Sequence, residues 1–171
     1  ACGNDNPTPP TPPAVPGAPI PGVPAIPGMP VPGMPVVPGI PAMPGAAGGS
    51  NFGTVALTSG FVPDPHVANG VSGGNIDAST WNPMCRGWVT QQPDHIFMAG
   101  TPFTSLRIMA NGGAQDITLV VQKPDGTYVC NDDAEGRNPI VTGMFTAGPH
   151  KVWVGSYQAG VQAAYTLGFT E

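Results

Sequence analysis

The chain has 171 residues and a formal net charge of -5, and its five basic side chains (Arg86, Arg107, Lys123, Arg137 and Lys151) form no cluster. Phosphate binding needs grouped Lys and Arg, so nucleic acid is excluded as an expected partner, and an anionic membrane surface is disfavoured for the same reason. No run of about 20 apolar residues occurs, so the sequence predicts no transmembrane helix.

The chain opens Ala1-Cys2-Gly3 without a basic, apolar leader, and it is read as a mature chain whose signal peptide has been removed. Residues 1–45 then form a Pro-rich arm. Sixteen of the 24 prolines lie before Ser50, and no charged side chain occurs from Pro7 to Pro44. Pro7, Pro10, Pro13, Pro16 and Pro19 hold one three-residue phase. Pro21, Pro24, Pro27 and Pro30 hold a second, and Pro32, Pro35, Pro38, Pro41 and Pro44 a third. Polyproline II has three residues per turn, so prolines spaced by three line one face of a stiff rod. A second edge is small (Gly22, Ala25, Gly28, Gly33, Gly39, Ala42) and the third apolar (Val23, Ile26, Met29, Met34, Val37, Ile40, Met43).

The slips at Pro19-Ile20-Pro21 and Pro30-Val31-Pro32 each turn those edges by roughly 120°, so successive blocks face different neighbours. Extended, the arm would reach on the order of 120 Å at about 3.1 Å per residue. A solvated spacer is the plain alternative, but spacers carry Ser, Thr, Lys or Glu between their prolines, whereas residues 14–45 carry Val, Ile and Met. The arm is therefore expected to pack against protein. Collagen is excluded because proline, not glycine, holds the third position.

Residues 46–53, beginning Ala46-Ala47-Gly48-Gly49-Ser50, predict a flexible hinge, and residues 54–171 a folded head. Strands are predicted over Thr54 to Phe61, Gly87 to Thr90, His95 to Met98, Ser105 to Ala110 and Ile117 to Gln122. Four more follow over Thr127 to Asn131, Ile140 to Phe145, His150 to Gly155 and Tyr165 to Thr170. Asn111-Gly112-Gly113, Lys123-Pro124-Asp125-Gly126 and Ala147-Gly148 supply turns. Short strands at intervals of roughly 10 residues, without helical periodicity, predict an all-β fold: an antiparallel, jelly-roll-like β-sandwich. Its core should hold Leu106, Ile108, Leu119, Val121, Val152, Val154, Leu167 and Phe169.

Within the head, motifs run Cys85, Gly87, Pro93-Asp94, Leu106-Arg-Ile108, Asp116-Ile-Thr-Leu-Val-Val121 and Pro124-Asp-Gly126. They continue with Cys130-Asn-Asp-Asp133, Gly136-Arg-Asn-Pro139 and Val152-Trp-Val-Gly-Ser-Tyr157. In this pattern residues 85–171 resemble the pre-peptidase C-terminal type of β-sandwich found in secreted bacterial proteins. The resemblance implies eight or nine strands and an exported accessory module. It supplies a fold and little function, and the arm has no counterpart in it.

Cys85 and Cys130 both fall in the head and are expected to pair, stabilising it by about 4 kcal/mol in the chain-entropy model; two buried free thiols are the alternative. Cys2 is then left over, for an intermolecular disulfide or for a lipid anchor, since Ala-Cys-Gly looks like the end of a bacterial lipobox. Asp116, Asp125, Asp132, Asp133 and Glu135 form the one dense group of carboxylates, a candidate calcium site. Asx turns capping strand ends account for the same residues, and the spacing does not match an EF-hand.

His66, His95 and His150 are dispersed, and no nucleophile motif or phosphate loop is present, so no enzyme is expected. Trp81, Trp88 and Trp153 could form a sugar-stacking platform or pack in the core and its rim. The leading expectation is a secreted structural protein, a homopolymer built into an extracellular fibre or surface layer by the arm and by a strand, Thr54 to Phe61, donated to a neighbouring copy. The alternative is a surface lipoprotein whose head binds a glycan or protein at the end of a Pro-rich spacer, and a third is an accessory domain of a secreted enzyme complex.

Overall fold

A computed structural model describes residues 49–171; the Pro-rich arm with its apolar edge, the first part of the hinge and Cys2 lie outside the described residues. The strands are β1 (Thr54–Leu57), β2 (His66–Val71), β3 (Ile76–Asp77), β4 (Trp88–Val89), β5 (His95–Ala99) and β6 (Phe103–Asn111). They continue with β7 (Ile117–Gln122), β8 (Tyr128–Asn131), β9 (Ile140–Phe145), β10 (Gly148–Ser156) and β11 (Ala164–Thr170), and one 3-10 turn, Ala78–Thr80, interrupts them. All nine predicted strands are present. β2 and β3 were not expected: His-Val-Ala-Asn-Gly-Val carries Asn and Gly, both poor strand formers, and β3 is two residues long.

Two sheets face each other. The first, of seven strands, runs β1-β5-β10-β4-β3, with β7 on the other flank of β10 and β8 beyond it. The second runs β2-β11-β6-β9 and is antiparallel throughout. Neighbours in each sheet are mostly non-consecutive in sequence, because the chain crosses repeatedly between sheets, in keeping with a jelly-roll-like sandwich.

β10 is the central strand. Its Lys151 is opposite both Ile96 of β5 and Gln122 of β7. One pair departs from the antiparallel rule: β1 lies parallel to β5, with Thr54 opposite Ile96 and Leu57 opposite Ala99. The strand predicted to continue to Phe61 thus ends at Leu57, and in this chain it completes its own sheet.

All eight predicted core residues are fully buried between the sheets, joined by Phe97, Phe103, Phe145 and Tyr165. At about 25 cal/mol per Å² of apolar surface removed from water, each large side chain contributes about 1.5–3 kcal/mol. Burial also shows how each sheet is covered. β6 and most of β11 alternate between buried and exposed, as strands with one wet face must. In β7, residues Ile117 through Val121 are all buried, and in β10 so are Val152 through Ser156. Both faces of those two strands are covered.

Candidate functional site

The cover on the seven-stranded sheet is a small second core. Val120 of β7 and Trp153 of β10 point outward from the sandwich and are packed by Ala78, Cys85 and Val89 from the β3–β4 segment. Asp77 caps the 3-10 turn by accepting the Ser79 N–H at 2.9 Å, and this hydrogen bond holds the Asp77 carboxyl below its ordinary value. Gly74 lets the segment lie against the β4 backbone, since any Cβ there would meet the Val89 carbonyl group. A disulfide joins Cys85 of this lid to Cys130 of β8, with Cα atoms 5.3 Å apart. Trp81 stacks on Tyr128 at 6.0 Å between centroids and tilts against Trp153 at 4.9 Å. Trp81 and Trp153 therefore pack the lid and do not form an exposed platform; Trp88 lies in β4 and is half-buried.

The four-stranded sheet carries no such lid among the described residues. Its outer face presents Val67, Gly168 and Met109 as one row across β2, β11 and β6, and Asn69, Thr166 and Asn111 as the next. Together these rows shape a trough of about 710 Å³. Gly168 deepens it, and a Cβ there would come within 3.2 Å of the Met109 side chain.

No residue lining the trough is charged, and the aromatic one, Tyr165, is 3% exposed because its ring turns into the core. The two asparagines are oriented alike. Asn69 accepts at its side-chain oxygen from the Thr166 hydroxyl (3.2 Å), and Asn111 accepts from the Gly113 N–H (2.8 Å). Neither amide nitrogen has a hydrogen-bond partner among the described residues. Chemically, the trough offers an apolar floor and uncharged donors.

At the end of the predicted hinge, residues 51–53 are fastened to the start of β5 and the segment before it. The Asn51 and Phe52 N–H groups donate to the Pro93 and Asp94 carbonyls at 2.9 and 2.8 Å, and Ile96 N–H donates to Gly53 at 3.1 Å. The Asp94 side chain, 1% exposed, completes the clasp. It accepts from Asn51 Nδ2 at 2.9 Å and from Val154 N–H at 2.8 Å. Burial pushes the Asp94 carboxyl up to about 6, against the pull of the hydrogen bonds from Asn51, Val154 and Thr90.

Next to it, His95 bonds the Tyr165 hydroxyl at 3.0 Å, and burial brings its imidazole down to about 4. Burial, and then the Asp94 charge, hold the Tyr165 hydroxyl well above its ordinary range. His150, packed between Phe97 and Phe145, is likewise lowered by burial. His66, at the start of β2, tilts against Phe169. The three histidines thus have separate neighbours, although His95 and His150 lie two register positions apart on the paired strands β5 and β10.

Calcium was expected at Asp116, Asp125, Asp132, Asp133 and Glu135. Among the described residues no three His, Cys, Asp or Glu side chains gather to hold an ion. Asp125 is used locally, accepting the Thr127 N–H at 2.9 Å and its hydroxyl at 2.6 Å in the β7–β8 turn. Asp132 accepts the Asp133 N–H at 3.1 Å, and Glu135 belongs to a bridge with Asn138. Asp116 is raised by burial and by the charges of Asp133 and Asp132, which Arg137 partly offsets. Turn capping, the competing explanation, accounts for Asp125 and Asp132.

Neither the trough nor the clasp was singled out from the sequence. Pro93-Asp94 is visible as a motif, but its side-chain partners lie 43 and 60 residues away. The trough is made of alternate positions on three strands. Its signal was the small, uncharged outward series Ala164, Thr166, Gly168 and Thr170.

No protein-family model and no curated protein matches this chain. Among solved structures it is similar to the 1.0 Å crystal structure of the pre-peptidase C-terminal domain of collagenase from Bacillus anthracis. Identity is 13% and the TM-score 0.47, over 71% of this chain and 97% of that one. This is the type of domain that the motifs of residues 85–171 resemble. The β-sandwich itself is established by the strand register above, and function is argued below from this chain's own residues.

Proposed function

We propose that this protein is a non-enzymatic structural subunit of an extracellular fibre or surface assembly, with the Pro-rich arm as its connector. The observation that carries the reading is the uncharged triplet repeat from Pro7 to Pro44, whose Val, Ile and Met edge would be an apolar surface left in water. The trough on the four-stranded sheet supports it, because its lining carries no charge and gives the head a surface of matching character. The Cys85–Cys130 disulfide fits an oxidising, extracytoplasmic compartment.

Ala1-Cys2-Gly3 supports a second reading, a lipid-anchored binding module on a Pro-rich spacer. Negative-stain microscopy and sedimentation of the native protein test the first. Filaments or large regular particles are expected. A monodisperse monomer whose residues 7–45 are cleaved at once by protease would sink it. Mass spectrometry of the mature N-terminus separates the two readings: a Cys2 disulfide supports assembly, and an acyl chain on Cys2 supports the anchor.

A further inference from the structure

We infer that the trough on the outer face of the four-stranded sheet is the receptor for a segment of the Pro-rich arm, within residues 14–45, of a second copy of this chain. The inference rests on the arm-mediated assembly proposed above and names the surface that receives the arm.

The first argument is hydrogen-bond chemistry. A polyproline II strand makes no internal hydrogen bonds, and each proline lacks an N–H, so such a segment is rich in unpaired carbonyls and poor in donors. The trough shows the complement, two exposed asparagines whose side-chain oxygens already accept hydrogen bonds and whose amide nitrogens have no partner among the described residues. A glycan would need both donors and acceptors and usually an aromatic plane to stack on, whereas the ring of Tyr165 is turned inward.

The second argument is charge. No lining residue is ionisable near neutrality, and no residue of Pro7–Pro44 is charged, so neither partner loses a hydrated charge on contact. Val67 and Met109 then meet the apolar edge of the arm.

The third argument is length. From Ala164 to Gly168 the trough follows about 14 Å of strand, at about 3.4 Å per residue. That span holds about four or five residues of polyproline II. An extended arm would offer on the order of 120 Å, several times more. One head has one such trough among its described residues, so the surplus triplets of each arm fall to other copies. Pro27-Gly28-Met29 and Pro32-Gly33-Met34 repeat one triplet in two registers and can serve heads in different orientations.

The test uses the full chain. Thr166 is replaced by the photo-cross-linker p-benzoylphenylalanine, equal amounts of ¹⁵N-labelled and unlabelled protein are assembled together, and the irradiated sample is digested for mass spectrometry. Adducts joining position 166 to peptides from residues 14–45 are expected, with mixed isotope pairs among them. In parallel, Thr166→Arg and Asn69→Arg, at exposed positions, should raise the half-assembly concentration by about tenfold or more with an unchanged thermal midpoint.

Adducts to any other segment, adducts to the arm that are all isotopically pure, or unaltered assembly of both arginine variants would overturn the assignment. These failures differ from failure of the assembly reading, in which the unsubstituted chain itself stays monomeric at every concentration.

Discussion

On the outside of the seven-stranded sheet, Trp153 and Val120 lie beneath a lid of two short strands and a 3-10 turn, riveted by Cys85–Cys130. On the outside of the four-stranded sheet, Val67 is 50% exposed and Met109 only half-buried, with no such lid among the described residues. Both faces carry apolar side chains, yet the chain spends some 15 residues and its disulfide on sealing one and leaves the other open. The difference separates an apolar surface completed by its own chain from one kept for a partner.

The widest test of that contrast is a pair of truncations. Trp153→Ala should lower the free energy of unfolding in urea by about 3–5 kcal/mol, the usual cost of emptying a packed aromatic site. Met109→Ala, on the open face, should cost under about 1 kcal/mol. Equal costs would erase the distinction between the faces. Next in size is the rivet: Cys85→Ser with Cys130→Ser should cost about 2–4 kcal/mol and shift tryptophan emission to the red as Trp81 and Trp153 meet water. Hydrogen exchange in β2, β6 and β11 should stay slow under native conditions, and a uniform loss of protection would show that the lid and the open sheet do not behave separately.

A smaller effect concerns acid. His95 stays neutral in the fold down to about 4, while the unfolded chain takes up that proton near pH 6.5. Its contribution to stability is therefore full above pH 6.5 and drains away as the pH falls toward 4, and His150 acts in the same direction. Asp94, raised to about 6, opposes them: its contribution is full below about 3.8 and is lost as the pH rises through 6. The urea midpoint should thus fall only weakly from pH 6 to 4, because Asp94 offsets much of what the two histidines lose. In Asp94→Asn the histidines act unopposed, and stability should fall on acidification by on the order of 2 kcal/mol across the window. A flat profile in that variant would count against burial as the cause of the histidine shifts.

Two tests predict almost no effect on stability. Thr166→Arg should change it by less than about 0.5 kcal/mol, as expected for an exposed strand position. Chelator should leave the thermal midpoint unmoved, since the loop carboxylates of the head are held by turns and no ion cage forms among the described residues. A chelator-dependent midpoint would restore the calcium site.

Strands with strong alternation, such as β6, and apolar runs such as Ile117–Val121 were legible because burial of one face or of both writes itself into adjacent residues. That the second pattern meant a covered outer face was equally available, but its cover, Ala78–Val89, holds strands of only two residues and no periodicity. β1 and β5 were both recognised as strands but their pairing was not, because parallel pairing joins segments some 40 residues apart and leaves no turn signal. The trough was hidden for a related reason. Its depth comes from an absent side chain, Gly168, whose meaning depends on Met109 in the neighbouring strand.

The parallel pairing of β1 with β5 also sets how the head would bear a mechanical load. Tension arriving from the N-terminal side meets the Asn51, Phe52 and Gly53 bonds first, then a four-residue ladder whose hydrogen bonds, under a pull along the strand axis, are sheared together. They would not be unzipped one at a time. The carboxylate of Asp94 ties this grip to Val154 in the central strand, so force is passed at once to the middle of the sheet.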